Sequence, residues 1–491
     1  MKRFSVLLLS VVMCFALLTA CGSNGNNKPS SSPSATPNES AAPTDAANPA
    51  EPEVYENGLP KDEKVTLKVG LWESGSGRIW MDLAMDEFTK KYPNVTFDLT
   101  STPTLETILE PKIAAGNDDD MFDLFMPRFT AAGSMERLVE AGKLESQDDL
   151  WDRQLPDGSG KTLRSVISDD FYDTALSLGM TARVPVVGYT SGLFFDQKLF
   201  DEKGWNKSPN TWDEFVALLE QIKADGIIPI TFPGVYAGYL TDYVFNVLQF
   251  DLAKANGSFD TYLKNFRNFD GPQLTTEENK EAWSRMYDFG KKGYFPSGVA
   301  ALNHTQSQMQ VMQHKAAMVA TGDWVGNEMK ESTPEGFTWG FMSIPVTNDP
   351  NQTVFVNAGV GDVSFVIWKN KPDLTKKWAK EFIMSLYNFE IQESLAVDAG
   401  SYPGRLDYGD DPARIEKLQP TQKAVMEYST KHNVEYISYR RNFGLSSPED
   451  GQSQKMISEL ITAVATGKKD PLPVLEEAEK LKQAAIAKDR P

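Results

Sequence analysis

The sequence predicts an α/β fold divided into two lobes. Two separate regions each have the pattern of a strand, a helix and a second strand, which is the unit from which mixed helix and sheet domains are assembled. The body that follows the first 58 residues has about 430 residues. A single hydrophobic core is usually smaller than this, so a division into two lobes is expected.

The first of these units begins at residue 65. Apolar residues alternate with polar or small ones over residues 65–73, which predicts a strand that ends at Trp72-Glu73. A Ser/Gly-rich turn at residues 74–77 leads into a helix that ends at Tyr92, and a second strand follows over residues 95–99. In such folds the turn at the C-terminal end of a strand is the edge where ligands bind.

The second unit contains the clearest helix signal of the chain. Residues 184–195 form a long extended run, which predicts a strand. Thr211 and Glu214 stand three residues apart, which predicts a capping box at the start of a helix that ends before Gly226. Residues 227–232 follow as a strand.

Residues 1–20 predict an export signal that is removed. Lys2 and Arg3 precede an almost wholly apolar run, and small residues close the segment before Cys21. The tetrad at residues 18–21, Leu-Thr-Ala-Cys, looks like the lipobox of bacterial lipoproteins, which implies cleavage before Cys21 and a lipid on its sulfur. A plain secretory signal that happens to end in cysteine is the alternative.

Residues 21–58 predict a flexible tether, because Ser, Pro, Asn, Ala and Thr dominate and little can be buried. Of the two cysteines, Cys14 lies inside the signal, so the mature chain cannot form an internal disulfide. We therefore expect a folded body held by a lipid on the extracellular face of the cell membrane.

Composition and motifs argue against several classes of function. The net charge is −19 with no basic run, which disfavours nucleic acid as a partner. Residues 118–120 are three aspartates without the glycine and glutamate of an EF-hand, and residues 158–162 lack the first glycine of a phosphate-binding loop. The three histidines, His304, His314 and His432, have spacings that suggest no metal site and no catalytic triad. We expect no metal and no cofactor.

Two other classes of function stay open at this point. A lipid-anchored glycoside hydrolase needs a pair of carboxylates, and 68 acidic residues always allow one, although no local signature marks it. A lipoprotein for adhesion or scaffolding, without a role in transport, would fit the same leader and tether.

Several segments together resemble one protein family. The most specific are residues 193–200 followed by 211–215, residues 314–318 followed by 321–324, and residues 337–345. They resemble the bacterial extracellular solute-binding lipoproteins, family 1, that serve carbohydrate ABC importers. The resemblance implies a monomer that binds a mono- or oligosaccharide, without chemical change, between two α/β lobes joined by hinge strands, and delivers it to a permease.

The family fold also implies that each lobe is discontinuous in sequence. By similarity, lobe 1 comprises residues 59–188 with 358–408, and lobe 2 comprises residues 189–357 with 409–491. Two short segments resemble one branch of this family in particular. Residues 232–236 and 322–329 resemble the branch associated with uptake of N-acetylglucosamine and chitooligosaccharides.

Candidate ligand-binding residues lie next to turns at strand ends. A sugar has apolar ring faces and hydroxyl edges, so its site needs aromatic plates and convergent polar groups. The aromatic candidates are Trp72, Tyr236 and Trp324. The polar candidates are Glu73, Arg128, Asp323, Asn357 and Arg405, because carboxylates accept and guanidinium groups donate several hydrogen bonds at once. For each aromatic residue the alternative is a place in the core, and for each polar one a solvated surface.

Overall fold

The computed structural model describes residues 53–73, 75–130 and 133–490. The predicted signal and the lipidation site at Cys21 lie outside these residues, as does most of the predicted tether. The strands are β1 Val65–Trp72, β2 Val95–Thr102, β3 Leu124–Phe125, β4 Leu176–Ser177, β5 Met180–Thr181, β6 Val184–Pro185, β7 Val187–Asp196, β8 Ile228–Thr231, β9 Ala316–Gly322, β10 Trp339–Met342, β11 Thr353–Val360, β12 Ser364–Ile367, β13 Tyr402–Pro403 and β14 Asn433–Ile437.

The helices connect these strands and cover both faces of the sheets. They are α1 Ile79–Lys91, α2 Glu106–Ala115, α3 Ser134–Glu140, α4 Asp169–Ala175, α5 Gln197–Lys203, α6 Trp212–Ala224, α7 Gly238–Leu240, α8 Leu248–Ala255, α9 Phe259–Asn268, α10 Glu277–Lys291, α11 His304–Met312, α12 Val325–Glu328, α13 Asp373–Ser385, α14 Phe389–Val397, α15 Pro412–Lys417, α16 Pro420–Lys431, α17 Pro448–Ala465 and α18 Leu472–Asp489. A π-helical turn over Thr241–Phe245 directly follows α7.

The first sheet and its core define lobe 1. Its strand order is β2-β1-β3-β12-β6, with β1 parallel to both β2 and β3 and with β12 antiparallel to its two neighbours. The inward side chains of β1 are buried in the same core as Trp80, Ala84 and Phe88 of α1. Helices α13 and α14 complete the same core with residues such as Trp378. The predicted first β-α-β unit is therefore present.

The second sheet and its core define lobe 2. Its strand order is β14-β11-β7-β9-β8, and both β10 and β13 also pair with β7. Helix α6 packs on this sheet with Phe215, Leu218 and Ile222 buried. The N-terminus of α6 forms one of the two hydrogen bonds of the predicted capping box. The Thr211 hydroxyl accepts from the Glu214 N–H, whereas the Glu214 carboxylate accepts from the N–H of Asn210 instead. The α/β fold class is confirmed.

The chain passes between the two sheets twice from strand directly to strand. The run predicted as one strand over residues 184–195 divides at Val186 into β6 of lobe 1 and β7 of lobe 2. The second passage is residues 361–363, between β11 and β12. The two passages are hydrogen-bonded to each other, from Val186 N–H to the Val363 carbonyl at 2.8 Å and from Gly361 N–H to the Val187 carbonyl at 2.7 Å. A paired two-strand connection of this kind can bend without breaking either core.

The described end of the predicted tether belongs to the folded body. Val54 pairs with Pro60 in an isolated bridge, and the Tyr55 hydroxyl donates to Asn94 at 2.9 Å. The Tyr55 ring also packs at 4.9 Å from the ring of Tyr92. The expectation that residues up to 58 are flexible is therefore corrected for residues 53–58, because the Tyr55 side chain finds partners on lobe 1 and Val54 forms a backbone bridge.

The acidic loop at residues 118–120 is held by the protein itself. The Asp118 carboxylate accepts hydrogen bonds from Trp368 at 2.8 Å and from Asn370 at 2.9 Å, while Lys112 pairs with Asp120 at 2.7 Å. Across the residues that the structure describes, no group of three or more His, Cys, Asp or Glu side chains could hold a metal ion. Within the same ranges, no helix combines the length and the apolar character needed to cross a membrane.

Candidate functional site

A cleft of about 850 Å³ lies between the two lobes. Residues that follow β1, β2 and β3 form its lobe 1 wall, and its lobe 2 wall comprises the start of β7, residues 236–243 and residues 323–328. Its volume is in the upper part of the range of about 300–1,000 Å³ typical of small-molecule sites. A smaller cavity of about 390 Å³ is lined by lobe 1 residues alone and lies apart from this cleft.

Aromatic rings dominate the lobe 2 wall. The ring of Trp324 lies 5.7 Å from that of Tyr189, 6.3 Å from that of Tyr239 and 5.5 Å from that of Tyr243, all in edge-to-face arrangements. Burial raises the pKa of the Tyr239 and Tyr243 hydroxyls, which keeps them protonated and able to donate hydrogen bonds. The wall thus offers a ring face together with hydroxyl donors.

The end of β9 determines where Trp324 lies. A Cβ atom at Gly322 would approach the Trp324 ring to 2.1 Å, so only glycine lets the ring fold back over the strand end. Between them, Asp323 is buried, and its carboxylate accepts a hydrogen bond from the Thr190 N–H at 3.0 Å. Burial also raises the pKa of Asp323 well above its ordinary value. Asp323 lines the cleft, but it also ties β9 to β7.

Tyr236 and His304 extend the aromatic wall toward solvent. Tyr236 is 54% exposed, and its ring lies 4.2 Å from that of His304, which also contacts Tyr239 at 4.6 Å. Burial lowers the pKa of His304, so the imidazole is neutral at neutral pH. Its Nε2 atom is buried and has no partner among the described residues.

Sequence reasoning considered His304 only as a metal ligand or catalytic base and so missed its place in the cleft. The available signal was Asn303 with Gln306, which forms a full capping box and fixes His304 in the first turn of α11.

The lobe 1 wall combines one tryptophan with an ion pair. The indole N–H of Trp72 donates to the Pro103 carbonyl at 3.0 Å, which fixes the ring at the end of β1. The Arg128 guanidinium carbon lies 3.5 Å from the centre of that ring, and the same guanidinium pairs with Asp362 at 2.9 Å. One face of Trp72 is therefore already covered by a cation.

Three of the polar candidates do not line the cleft. Glu73 is half-buried beside it, where its carboxylate accepts from the Ser101 hydroxyl at 2.5 Å. Asn357 is 1% exposed and donates to the Ser191 hydroxyl at 2.9 Å, within the second sheet. Because β11 turns this side chain toward β7, the expectation that Asn357 faces the cleft is corrected.

Arg405 also lies away from the cleft, where it joins two loops of lobe 1. Its side chain is fully buried and pairs with Asp157 and, at 2.8 Å, with Asp407. It also donates to the Tyr387 carbonyl at 2.8 Å, and Lys161 pairs with Asp407 at 2.7 Å. Since most of its donors are engaged, the expectation that Arg405 contacts a ligand is corrected. The structure thus brings five sequence-predicted residues together at the cleft: Trp72, Arg128, Tyr236, Asp323 and Trp324.

A direct contact also joins the lobes across the cleft. The Asn327 side-chain amide, in α12, donates to the Gly75 carbonyl in the turn after β1 at 2.7 Å. Within lobe 1, the hydroxyls of Ser76 and Ser401 lie 3.4 Å apart beside the same turn. The turn after β1 therefore touches the helix that follows Trp324.

Comparisons with known proteins show the class of protein to which this chain belongs. A family model for bacterial extracellular solute-binding proteins matches residues 72–392, which is well over half of the chain. The chain therefore belongs to the bacterial extracellular solute-binding protein family. The matching proteins are binding proteins rather than enzymes.

Two relatives and one solved structure illustrate this similarity. The chain is 22% identical over 376 residues to the multiple sugar-binding protein of Streptococcus mutans, which covers 76% of this chain and 82% of that protein. It is 22% identical over 297 residues to the diacetylchitobiose binding protein NgcE of Streptomyces coelicolor, 58% of each chain. A solved chitin oligosaccharide binding protein superposes with a TM-score of 0.65 at 19% identity, covering 86% of this chain and 99% of that one. At that identity, the superposition shows the shared two-lobe fold alone.

Proposed function

We propose that this protein binds a soluble oligosaccharide in the cleft between its lobes and delivers it, chemically unaltered, to the membrane subunits of an ABC importer. The observation that carries the proposal is the aromatic wall of lobe 2, where Trp324 and three tyrosines surround a cavity large enough for more than one sugar ring. Its relatives support a carbohydrate ligand, since they include a multiple sugar-binding protein, and they favour a chitooligosaccharide, since they include a diacetylchitobiose and a chitin oligosaccharide binding protein.

Binding in this cleft would be coupled to closure of the lobes. A ligand that contacts both walls favours the arrangement in which they approach, and it shifts the equilibrium only by its difference in affinity for the two arrangements. The paired passages at residues 186 and 361–363 are the place where the chain would bend. Lobe boundaries at 59–188 with 358–408, and 189–357 with 409–491, are part of the same proposal, and two of these borders lie within a few residues of the passages at Val186 and residues 361–363. A monomeric state is also part of the proposal.

Membrane attachment through Cys21 completes the proposed role. The Cys21 sulfur would carry diacylglycerol, and cleavage before this residue would leave the lipid at the start of the mature chain, where several acyl chains together give stable anchoring. The tether would then let the body meet a permease on the extracellular face. A Cys21→Ser variant should appear in the soluble fraction, whereas retention on membranes would contradict the anchor without affecting the proposed binding.

Thermal unfolding with a panel of mono- and oligosaccharides tests the binding function. A ligand that binds only the native state raises the unfolding midpoint, by an amount that grows with concentration. We expect a rise with at least one oligosaccharide in the unmodified chain and a much smaller one in a Trp324→Ala variant. No rise with any sugar would favour a scaffold role, and released reducing ends would favour a hydrolase.

A further inference from the structure

The charged groups in the cleft are unevenly matched. Among the described residues that line it, four are carboxylates, Glu106, Asp323, Glu328 and Asp362, and Arg128 is the only Arg or Lys. Arg128 is engaged, since it pairs with Asp362 at 2.9 Å while covering Trp72. Burial lowers the pKa of His304, so its imidazole adds no positive charge at neutral pH. The cleft therefore has more negative charge than its own cation can balance.

Three of these carboxylates have no cationic partner among the described residues, and two of the three are open to a ligand. Asp323 is buried and bonded to the backbone, so its charge is not presented to a ligand. Glu106 begins α2 on the lobe 1 side, is half-buried, and forms no ion pair with any described residue. Glu328 ends α12 on the lobe 2 side, and among the described residues its carboxylate has one hydrogen-bond partner, the neutral amide of Gln308 at 2.7 Å.

Of Glu106 and Glu328, Glu328 is the better placed to contact a bound ligand. Its Oε2 accepts from Gln308, while its Oε1 faces Gly75 of the opposite lobe, 3.2 Å from the position that a Cβ atom there would take. Surrounding protein raises the pKa of Glu328, because no nearby cation offsets the partial desolvation. A hydrogen-bond donor that carries positive charge would satisfy Oε1 and would favour the ionised form of this carboxyl group.

We infer that the cleft selects among saccharides by charge: it favours sugars that bear a free amino group over neutral ones, and it rejects sugars that bear a carboxylate, with Glu328 as the residue that sets the preference. The inference rests on the proposed function and names the ligand class of the same cleft. Its physical basis is that low-dielectric walls of one sign concentrate the field on a bound ligand. An ammonium group offers three donors to a carboxylate, whereas a sugar carboxylate adds a like charge.

Calorimetry with four matched β-1,4 disaccharides tests this. They are a di-glucosamine, its N,N′-diacetylated form, cellobiose, and the analogue of cellobiose with one glucuronate, each titrated into the detergent-solubilised full chain at about pH 6, where an amino group is protonated. We expect the di-glucosamine to bind at least about threefold more tightly than its diacetylated form, and the glucuronate to bind at least about tenfold more weakly than cellobiose. Both ratios should shrink at high ionic strength.

Two variants identify the residue responsible. Glu328→Gln keeps the size and the contact with Gln308 but removes the charge, and should bring both ratios toward one. Glu476→Gln, on the exposed face of α18, removes the same charge from the outer surface of lobe 2 and should leave both ratios as they are.

The outcomes separate the two proposals. If neutral disaccharides bind but charge has no effect in the unmodified chain, or if Glu328→Gln leaves the ratios unchanged, the charge selection is overturned while the sugar-binding role stands. Tighter binding of the glucuronate would mean that Arg128 leaves Asp362 to bind it, which also overturns the inference. Binding of none of the four, nor of any sugar in the thermal panel, would contradict the proposed function itself.

Discussion

The two walls of the cleft differ in the side chains that they present. Lobe 2 contributes Trp324 and its cluster of tyrosines, which offer ring faces and hydroxyl donors. Lobe 1 contributes Trp72 under the guanidinium of Arg128, and that guanidinium is paired with Asp362. Because apolar ring area supplies most of the affinity in such sites, we expect lobe 2 to hold the sugar first and lobe 1 to complete the site on closure.

Buried ion pairs have a structural role inside lobe 1, away from the cleft, and the largest effect tests this. Replacing Arg405 with Ala leaves the buried carboxylates of Asp157 and Asp407 without their main partner. The free energy of unfolding should fall by about 3–5 kcal/mol, as for other broken buried ion pairs. Chemical denaturation measures the loss, while the sugar affinity of the remaining folded protein should be unchanged.

Arg414 provides a matched control for that change. Its guanidinium lies over the same Phe389 ring at 3.6 Å, but its side chain is 22% exposed and its pair with Asp411 is 3.8 Å long. Arg414→Ala should cost less than about 1 kcal/mol. An Arg405→Ala variant as stable as Arg414→Ala, or one that loses sugar binding while folded, would place Arg405 in a different role.

The next largest effect compares one aromatic residue from each wall. Trp324→Ala removes the centre of the lobe 2 cluster and should weaken oligosaccharide binding by about 2 kcal/mol, or roughly 30-fold. Trp72→Ala should weaken it by less than about 1 kcal/mol, since one face of this ring is already covered by Arg128. Calorimetry on both variants checks the ranking, with thermal unfolding to confirm the fold. An equal or reversed ranking would contradict the assignment of the main binding wall to lobe 2.

A smaller effect should follow from moving the Trp324 ring without removing it. Gly322→Ala places a Cβ atom where the ring now lies, at 2.1 Å, so the ring must leave its position. We expect a loss of about 1 kcal/mol in affinity and a change in tryptophan fluorescence. Gly298→Ala is the control, because a Cβ atom there meets nothing within 4 Å and its φ of −96° suits any residue. Unchanged affinity in Gly322→Ala would mean that the ring position does not matter for binding.

The contrast between Trp324 and Arg405 also shows how far sequence can predict this site. Both follow a turn after a strand, and for Trp324 the local sequence Gly322-Asp323-Trp324 contains what brings the ring to the cleft. For Arg405 the deciding partner is Asp157, 248 residues away in sequence. No local pattern distinguishes an arginine that faces the cleft from one that a distant aspartate draws into the core.

The same distinction holds for the fold. Strands and helices with strong periodicity, such as β1 and α6, form near their predicted positions because their hydrophobic stripes are local. The run over residues 184–195 looks continuous, and its division at Val186 depends on pairing with β12 on one side and with β9 and β11 on the other. Hydrophobic periodicity does not indicate which distant strands will pair, so the division at Val186 could not be predicted from it.

The last predicted effect depends on pH and again separates lobe 1's buried charges from the ring wall. Hydrogen bonds from Arg405, with a further contribution from Lys161, lower the pKa of Asp407 to about 2 from its ordinary 3.8. A carboxyl whose pKa is lowered by folding stabilises the protein above its unfolded-state pKa, and that stabilisation is lost as the pH falls toward 2. Asp407→Asn should therefore cost about 1–2 kcal/mol at neutral pH, and the difference from the unmodified chain should shrink through pH 4 to 2. Asp410→Asn, at an exposed neighbouring position, is the control and should show no such trend. If the Asp407 variant differs from the unmodified chain by the same amount at every pH, then the shape of the Asp407 side chain, rather than its charge, stabilises the pair with Arg405.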